Sequence, residues 1–307
     1  MDLQRSALWP SPLTPEDRWA LLDAIYLDPR TYYYPGWTAL HDWLRQGLGW
    51  GLRTDPDALV AALVAVPETD TRAWLRLFVA RGEVPTGLAW RLLWRAAAPA
   101  LAQQGVHEVA GVGGRAWVNR FFAARGFRRQ TDLQVLMWRG PTPVPPEPNP
   151  TAPVTIETMR PADLPAVVAV DRAAFPPVWR LRPELVHQAC RQARLALVAR
   201  PHNADALAGY ALFTEAPHGA HLARLAVHPR WQRQGLGRAL VRAGLHRLAA
   251  QDPRVWVSVN TETQNQAAVR LYTGLGFTFQ GEEVPVWVGR LPGMTAALAA
   301  QTALASG

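Results

Sequence analysis

The sequence predicts two α/β domains in tandem, each a mixed sheet with helices packed on its faces. Three observations support this fold class. A dense run of prolines divides the chain near its middle, the flanking segments repeat one order of elements, and short apolar strands alternate with amphipathic helices in both. The length of 307 residues also corresponds to about two domains.

The proline-rich segment, residues 141–153, marks the predicted domain boundary. Proline lacks a backbone N–H and fixes φ, so a segment this dense in proline neither pairs in a sheet nor continues a helix. We expect a stiff, extended linker there. The predicted domains are residues 1–140 and 154–292, and residues 293–307 are predicted to form a C-terminal tail.

The elements of the two halves correspond one by one. The second copy opens with an alternating strand, Val154–Glu157, and a helix that Pro161 and Asp163 begin. In the first copy Leu13–Asp17 likewise precedes a helix over Trp19–Ile25. The later elements match in order and spacing: Ala206–Phe213 with Ala58–Ala65, Leu222–Val227 with Trp74–Val79, Gly235–Gly237 with Gly87–Ala89, and Leu271–Phe277 with Phe121–Phe127.

Composition narrows the class of protein. The net charge is +8 and the 32 basic side chains are all arginine, but they form no basic block or zinc finger, so nucleic-acid binding is not predicted. No apolar run approaches the ~20 residues of a membrane span, and the first residues lead into no apolar signal segment. We expect a cytoplasmic monomer or homodimer with no nucleic-acid or membrane partner.

The single cysteine, Cys190, excludes an internal disulfide and a multi-cysteine metal site. It falls in a predicted helix, Leu185–Ala193, without a Cys–His signature, so we interpret it as a structural thiol. We predict no bound metal.

A glycine-rich turn in the second half is the strongest candidate for a binding site. The strand Ala223–Val227 stops before Pro229, and Gln232-Arg233-Gln234-Gly235-Leu236-Gly237 then leads into an amphipathic helix. Free N–H groups and the dipole at a helix start bind anions, and glycines let phosphate oxygens approach the backbone. The dinucleotide and P-loop fingerprints do not match, and a plain helix-start turn is the alternative.

The turn resembles the signature of the GNAT superfamily of N-acetyltransferases. Val227-His228-Pro229-x-x-Gln232-x-x-Gly235-x-Gly237 is similar to its Gln/Arg-x-x-Gly-x-Gly/Ala motif. Asn265-x-x-Ala268-x-x-Leu271-Tyr272-x-x-Leu275-Gly276-Phe277 resembles its second hallmark segment. The resemblance covers the second half, and the pair of domains resembles the arrangement of the mycothiol synthases.

The resemblance implies acetyl-CoA as the acyl donor and an amine, on a small molecule or a peptide, as the acceptor that attacks the thioester directly. It also implies that the strands on either side of the intervening helix splay apart and that the thioester lies in the opening. The implied cofactor contacts are Leu225, Ala226 and Val227 along a strand edge, Gln232, Arg233, Gln234, Gly235, Leu236, Gly237 and Arg238 in the turn, and Asn265.

Direct attack needs an acid for the leaving thiolate and a base for the amine. The resemblance implies Tyr272 as the acid, and the alternative is a packed aromatic in a helical apolar stripe. Asn265 begins the same helix and is also a candidate N-cap.

The base is less defined, because His221 stands where family members often carry a glutamate. By strand alternation, His221 should face the same side as Ala223, Leu225 and Val227. A neutral imidazole accepts a proton near pH 7. The alternatives are a hairpin-edge histidine without a role, Glu262, Glu215 or a water chain.

The acceptor is expected beside Phe175–Arg180, in the loop between the first two helices, with Pro285–Trp287 as the other wall. Core filling is the alternative for these tryptophans. Loops of this kind carry specificity on a rigid scaffold.

The first copy lacks the residues of the second. Pro85 removes a backbone donor from its turn, Phe122 replaces Tyr272, and Arg115 replaces Asn265. We interpret this copy as a degenerate structural domain, and a regulatory or acceptor-binding role is the alternative. Gly87 also leaves weak cofactor binding open.

The sequence therefore predicts an N-acetyltransferase with catalysis in residues 154–292. A non-catalytic coenzyme A-binding sensor or scaffold that uses the same turn is the alternative, because the family's glutamate base is missing.

Overall fold

The computed structural model describes residues 8–55, 58–82, 84–140, 153–202, 206–217 and 219–291. The chain divides into two compact units: the first contains the residues up to Gln130 and those from Val286 onward, and the second contains Thr131–Pro285. The predicted α/β fold class is confirmed. The predicted tail and residues 141–152 of the predicted linker lie outside the described residues.

The first unit is a mixed sheet with helices. Its main strands lie in the order β1-β3-β4-β5-β6, with β5 parallel to β6 and the other neighbours antiparallel. The elements in chain order are β1 (Trp9–Pro12), α1 (Arg18–Leu27), β2 (Tyr32–Tyr33), α2 (Leu40–Arg45), β3 (Gly49–Asp55), β4 (Ala58–Pro67), β5 (Arg72–Ala80), α3 (Thr86–Gln103), β6 (Glu108–Val112) and α4 (Ala116–Ala123).

The second unit repeats this plan, with strands in the order β7-β12-β11-β10-β9-β8 and only β11 and β12 parallel among these neighbours. The elements are β7 (Arg128–Arg139), β8 (Val154–Thr158), α5 (Leu164–Ala174), α6 (Pro183–Gln192), β9 (Leu195–Pro201), β10 (Gly209–Ala216), β11 (Gly219–Val227), α7 (Leu236–Gln251), β12 (Trp256–Glu262), α8 (Gln266–Gly274) and β13 (Thr278–Arg290).

Two long strands depart from the predicted segments. Leu133–Arg139 of β7 pairs with β12 inside the second unit. Val286–Arg290 of β13 pairs with β6 inside the first unit. Both strands follow a Gly-Phe pair, at Gly126-Phe127 and Gly276-Phe277, so the sequence marks where each strand begins but does not mark which sheet it joins. The boundary at the proline-rich segment stays a prediction.

Helices cover both faces of the second unit's sheet. On one face, α7 buries its apolar row, and Gly244 permits the close approach because a Cβ there would lie 2.2 Å from the Phe213 ring. On the other face, Tyr210 of β10 reaches α5, where it bonds Asp171. Among the described residues, no helix combines the length and the apolar character that crossing a membrane requires.

Candidate active site

The glycine-rich turn joins β11 to α7. A short 3-10 turn over Pro229–Trp231 precedes Arg233 and Gly235, which both adopt left-handed backbone with φ of 61° and 81°. Among the described residues, Arg233 is the only non-glycine with a positive φ. Backbone of this kind turns successive N–H groups to one side and forms an anion-binding concavity. The first N–H groups of α7, from Leu236, have no acceptor earlier in the helix.

Two glutamine side chains brace the turn. The Nε2 of Gln232 donates to the carbonyl of Val227 at 3.1 Å, and the Nε2 of Gln234 donates to the carbonyl of Arg230 at 3.2 Å. Their side-chain amides are therefore used within the turn. This arrangement fits backbone amides, and not glutamine side chains, as the donors to a bound anion.

β11 and β12 separate beside this turn. They pair in parallel only over Gly219–Leu222 with Trp256–Val259. Within the described chain, no ladder pairing joins Ala223–Val227 to β12, although the other edge of that segment pairs with β10. The unpaired edge is suited to an extended ligand that adds to it as a strand does.

A β-bulge in β11 reverses the predicted orientation of His221. The register against β10 shifts by one residue at Ala223, and an extra residue of this kind breaks the alternation of side chains. His221 therefore shares a face with Arg224, and not with Leu225 and Val227. The predicted common face is wrong, because alternation along a strand holds only where no residue is inserted.

His221 contacts the neighbouring strand β12. Its Nδ1 lies 2.9 Å from the Oγ of Ser258, which is its partner in the parallel register. Burial lowers the pKa of His221 to about 4. The imidazole is therefore neutral at pH 7 and is a weak base. The sequence contained no signal for Ser258, since only the pairing of the two strands brings it to this histidine.

Tyr272 lies in α8 and is 6% exposed. Its ring packs against Phe277 with centroids 5.6 Å apart, and its hydroxyl has no hydrogen-bond partner among the residues described. Burial raises the pKa of Tyr272 well above its ordinary value, so the phenol keeps its proton at neutral pH. Asn265 caps α8, because its Oδ1 accepts a hydrogen bond from the Ala268 amide at 3.1 Å. The predicted N-cap is confirmed.

The two glutamates kept as alternative bases occupy different places. Glu215 pairs with Arg194 at 3.4 Å, is 72% exposed, and lies at the hairpin end of β11, away from the opening. Glu262 ends β12 and, by alternation, shares the face of Ser258. Of the two, only Glu262 lies at the open end of the diverging strands.

A buried ionic cluster fixes the loop predicted to bind the acceptor. Arg224 Nε lies 2.5 Å from Asp171 Oδ2, which also accepts a hydrogen bond from the Tyr210 hydroxyl at 2.5 Å. Arg224 Nη2 donates to the Trp179 carbonyl at 2.8 Å, and its guanidinium lies 3.7 Å from the centroid of the Phe175 ring. Sequence reasoning missed this cluster, since its members come from three elements and belong to no motif.

The second wall predicted for the acceptor site, Pro285–Trp287, belongs largely to the first unit. Trp287 belongs to the first unit, where its Nε1 donates to the Asn119 Oδ1 at 3.0 Å and its ring stacks near Phe122. These contacts hold Trp287 within the first unit, and its assignment to the acceptor wall stays a prediction.

The last candidates are the single cysteine and possible metal ligands. Burial raises the pKa of Cys190 to about 11, so the thiolate is scarce at pH 7, as expected for a structural thiol. In the part of the chain that the structure describes, no group of three or more His, Cys, Asp or Glu side chains is placed to hold a metal ion.

The chain matches known acetyltransferases. The profile of the acetyltransferase (GNAT) family matches residues 164–277. The ribosomal protein bS18-alanine N-acetyltransferase of Escherichia coli K12 is 31% identical over 124 residues, which cover 40% of this chain and 80% of that protein. The mycothiol acetyltransferase of Nocardiopsis dassonvillei is 48% identical over 59 residues, which cover 19% of this chain and 17% of that protein. The match thus spans less than a fifth of the length of that relative.

A solved structure shares the fold over nearly the whole chain. A tandem GNAT protein from the clavulanic acid biosynthesis pathway aligns with a TM-score of 0.64 and 20% identity, covering 93% of this chain and 99% of that one. At 20% identity this match concerns the fold alone, and the family follows from the family profile and from the E. coli relative, which is 31% identical and 80% covered. The chain belongs to the GNAT family of acetyltransferases.

Proposed function

We propose that the second unit transfers an acetyl group from acetyl-CoA to a primary amine by direct attack of the amine on the thioester. The observation that carries the proposal is the unpaired edge Ala223–Val227, which runs along the opening between β11 and β12 and ends at the left-handed turn before α7. Such an edge suits a pantetheine arm, and such a turn suits a diphosphate.

Backbone amides would make most of the cofactor contacts. Amides from Arg233 to Arg238 hold the pyrophosphate, and Leu225, Ala226 and Val227 hold the pantetheine arm. Gln232 and Gln234 shape the turn, as their bonds to backbone carbonyls suggest. Asn265 holds the start of α8, where Tyr272 is carried.

Tyr272 acts as the general acid. The amine nitrogen bonds to the thioester carbon, the carbon–sulfur bond breaks, and the thiolate takes the phenolic proton. The hydroxyl has no hydrogen-bond partner among the described residues, which supports this role, since a proton shared with no other protein group is available to the leaving sulfur.

His221 accepts the proton that the amine loses. The imidazole is neutral at pH 7, and the Ser258 hydroxyl orients its Nδ1. A group with a pKa of about 4 holds a proton only briefly before solvent removes it. Glu262, on the same face, is the alternative.

Replacing His221 with alanine should lower kcat/KM by about tenfold, less than the roughly 100-fold or more of a typical general base, because the imidazole is a weak base. Since the pKa of His221 is about 4, the wild-type profile should show no inflection from this group near pH 6.5, and rates should fall only as pH approaches 4. Thiol release measured from about pH 4 to pH 9 tests both parts of this prediction. A normal rate in His221→Ala with a loss in Glu262→Gln would transfer the role to Glu262.

Arg224→Lys should raise KM for the amine several-fold and leave the affinity for acetyl-CoA unchanged. A lysine keeps the charge beside Asp171 but lacks the fork that also reaches the Trp179 carbonyl. Initial rates at varied amine, with calorimetry for the cofactor, separate the two effects. An unchanged KM would show that the loop Phe175–Arg180 does not bind the acceptor.

A coenzyme A-binding sensor without turnover is the second candidate, favoured by the absence of a glutamate at position 221. Calorimetry with acetyl-CoA and a thiol-release assay with a panel of amines distinguish the two. The panel includes peptides with N-terminal alanine, the group named for the E. coli relative. Binding without thiol release on any amine would support the sensor. A cytoplasmic location and a monomeric or dimeric state stay predictions.

A further inference from the structure

The first unit contains an opening like that of the second. β5 and β6 pair in parallel only over Arg72–Trp74 with Glu108–Ala110. In the internal repeat, β5 corresponds to β11, and Leu77–Val79 corresponds to Leu225–Val227. The edge of β5 beyond Trp74 is therefore the counterpart of the edge proposed to bind pantetheine.

In the first unit the chain itself covers this edge. β2 pairs antiparallel with β5, with Tyr32 opposite Phe78 and Tyr33 opposite Leu77. The next residue, Tyr34, continues the pairing through its amide, which donates to the Arg76 carbonyl at 2.9 Å. The backbone groups that a pantetheine arm would need are thus already bonded.

Tyr32 closes the opening from one strand to the other. The backbone of Tyr32 pairs with β5, on one side of the opening. Its hydroxyl accepts a hydrogen bond from the Val112 amide of β6, on the other side, at 3.0 Å. Its ring is 4% exposed and meets Phe122 edge to face, with centroids 5.6 Å apart. Phe122 occupies the position of Tyr272 in the repeat, so Tyr32 lies where the reacting groups would meet in the second unit.

Arg76 anchors the same segment. Its side chain pairs with Glu68 and donates from Nη1 to the Pro35 carbonyl at 3.2 Å, while its guanidinium lies 5.5 Å from the Tyr34 ring centroid. Arg224, its counterpart in the repeat, holds the Trp179 carbonyl of the second unit's loop, and among the described residues no strand is added along the edge of Leu225–Val227 that faces the opening. The corresponding arginines thus hold similar loops in the two units, but β2 covers the strand edge in the first unit, whereas the edge of β11 in the second unit is not paired with β12.

We infer that β2 permanently closes the first unit to acyl-CoA, so that each chain carries a single acyl-CoA site, in the second unit. The inference rests on the proposed function for the position of that site. Pro85, which supplies no N–H at the start of α3, agrees with it.

The stoichiometry of acetyl-CoA binding tests the inference on the full chain. Calorimetry and native mass spectrometry should give one equivalent for the wild type, none for Gly235→Asp, and one with unchanged affinity for Gly87→Asp. Gly87 is a matched control, since it occupies the position of Gly235 in the repeat. A Cβ at Gly87 meets nothing within 4 Å, and an acid at the second position of α3 suits the helix dipole, so this variant should fold.

Two equivalents in the wild type, with one left in each variant, would overturn the inference and leave the proposed function intact. One equivalent that Gly87→Asp removes would overturn it as well. Failure of the proposed function has a different signature: one equivalent is bound, but no amine gives thiol release.

Hydrogen exchange gives an independent readout. Peptides covering 30–36 and 72–80 should exchange equally slowly with and without acetyl-CoA, whereas those covering 223–238 should gain protection when it binds. New protection over 72–80 on addition of acetyl-CoA would show that the first unit opens to the cofactor.

Discussion

Gly235→Asp should weaken acetyl-CoA binding by at least about 100-fold, because a carboxylate would enter the site proposed for the two phosphates. A unit charge about 4 Å from another contributes roughly 4 kcal/mol near a protein surface, and about 2.7 kcal/mol already corresponds to a factor of 100. Calorimetry at two salt concentrations checks the result, since a repulsion of this origin lessens as salt rises.

Backbone strain is the competing explanation, because Gly235 has a φ of 81°. A side chain in this left-handed region costs roughly 1–2 kcal/mol. Gly235→Asn is the control: asparagine has the size of aspartate, tolerates this backbone and carries no charge. We expect Gly235→Asn to lose no more than about tenfold in affinity. An equal loss in both variants would mean that strain, and not charge, destroys the site, and would contradict a diphosphate at this turn.

Tyr272→Phe should lower kcat by about 100-fold, as expected when a general acid is removed. The dissociation constant for acetyl-CoA should be unchanged, because the ring remains. The melting temperature should not fall, since the hydroxyl has no hydrogen-bond partner among the described residues. Thiol-release kinetics, calorimetry and thermal melts measure the three quantities. An unaltered kcat would remove Tyr272 from the chemistry.

Tyr210→Phe is the matched control in the same unit. Its hydroxyl is buried and bonded to Asp171, so its loss should destabilise the fold by about 1–3 kcal/mol. We therefore expect Tyr272→Phe to lower kcat without lowering the melting temperature, and Tyr210→Phe to lower the stability of the fold. A fall in melting temperature for Tyr272→Phe like that of Tyr210→Phe would indicate a structural phenol at both positions.

Local patterns predicted the parts of the site that depend on local structure. The turn before α7 and the cap at Asn265 depend on residues within a few positions of each other, and both are present. The face of His221 depends instead on one inserted residue, Ala223, because a bulge changes the facing of every residue on one side of it. No periodicity in a single strand shows where such an insertion lies.

Contacts between distant elements were beyond the sequence. In the sequence, nothing distinguishes Asp171, Tyr210 and Arg224 from other residues of their helix or strands. They come together only when these elements pack against each other. β2 is two residues long, too short for any alternation to register. The sequence also did not show which sheet β7 and β13 join, because the residues of a strand do not identify the strand that it pairs with.

The first unit is formed by two segments that are separated in the sequence, and this has a consequence for the synthesis of the chain. Its edge strand Val286–Arg290 leaves the ribosome only after every residue of Thr131–Pro285 has emerged. The second unit is one continuous segment, so all of its residues emerge before the first unit is complete. Until then β6 keeps an unpaired edge, the kind of edge that joins foreign strands. Nascent chains are therefore most exposed to aggregation through the first unit, which is the last to be completed.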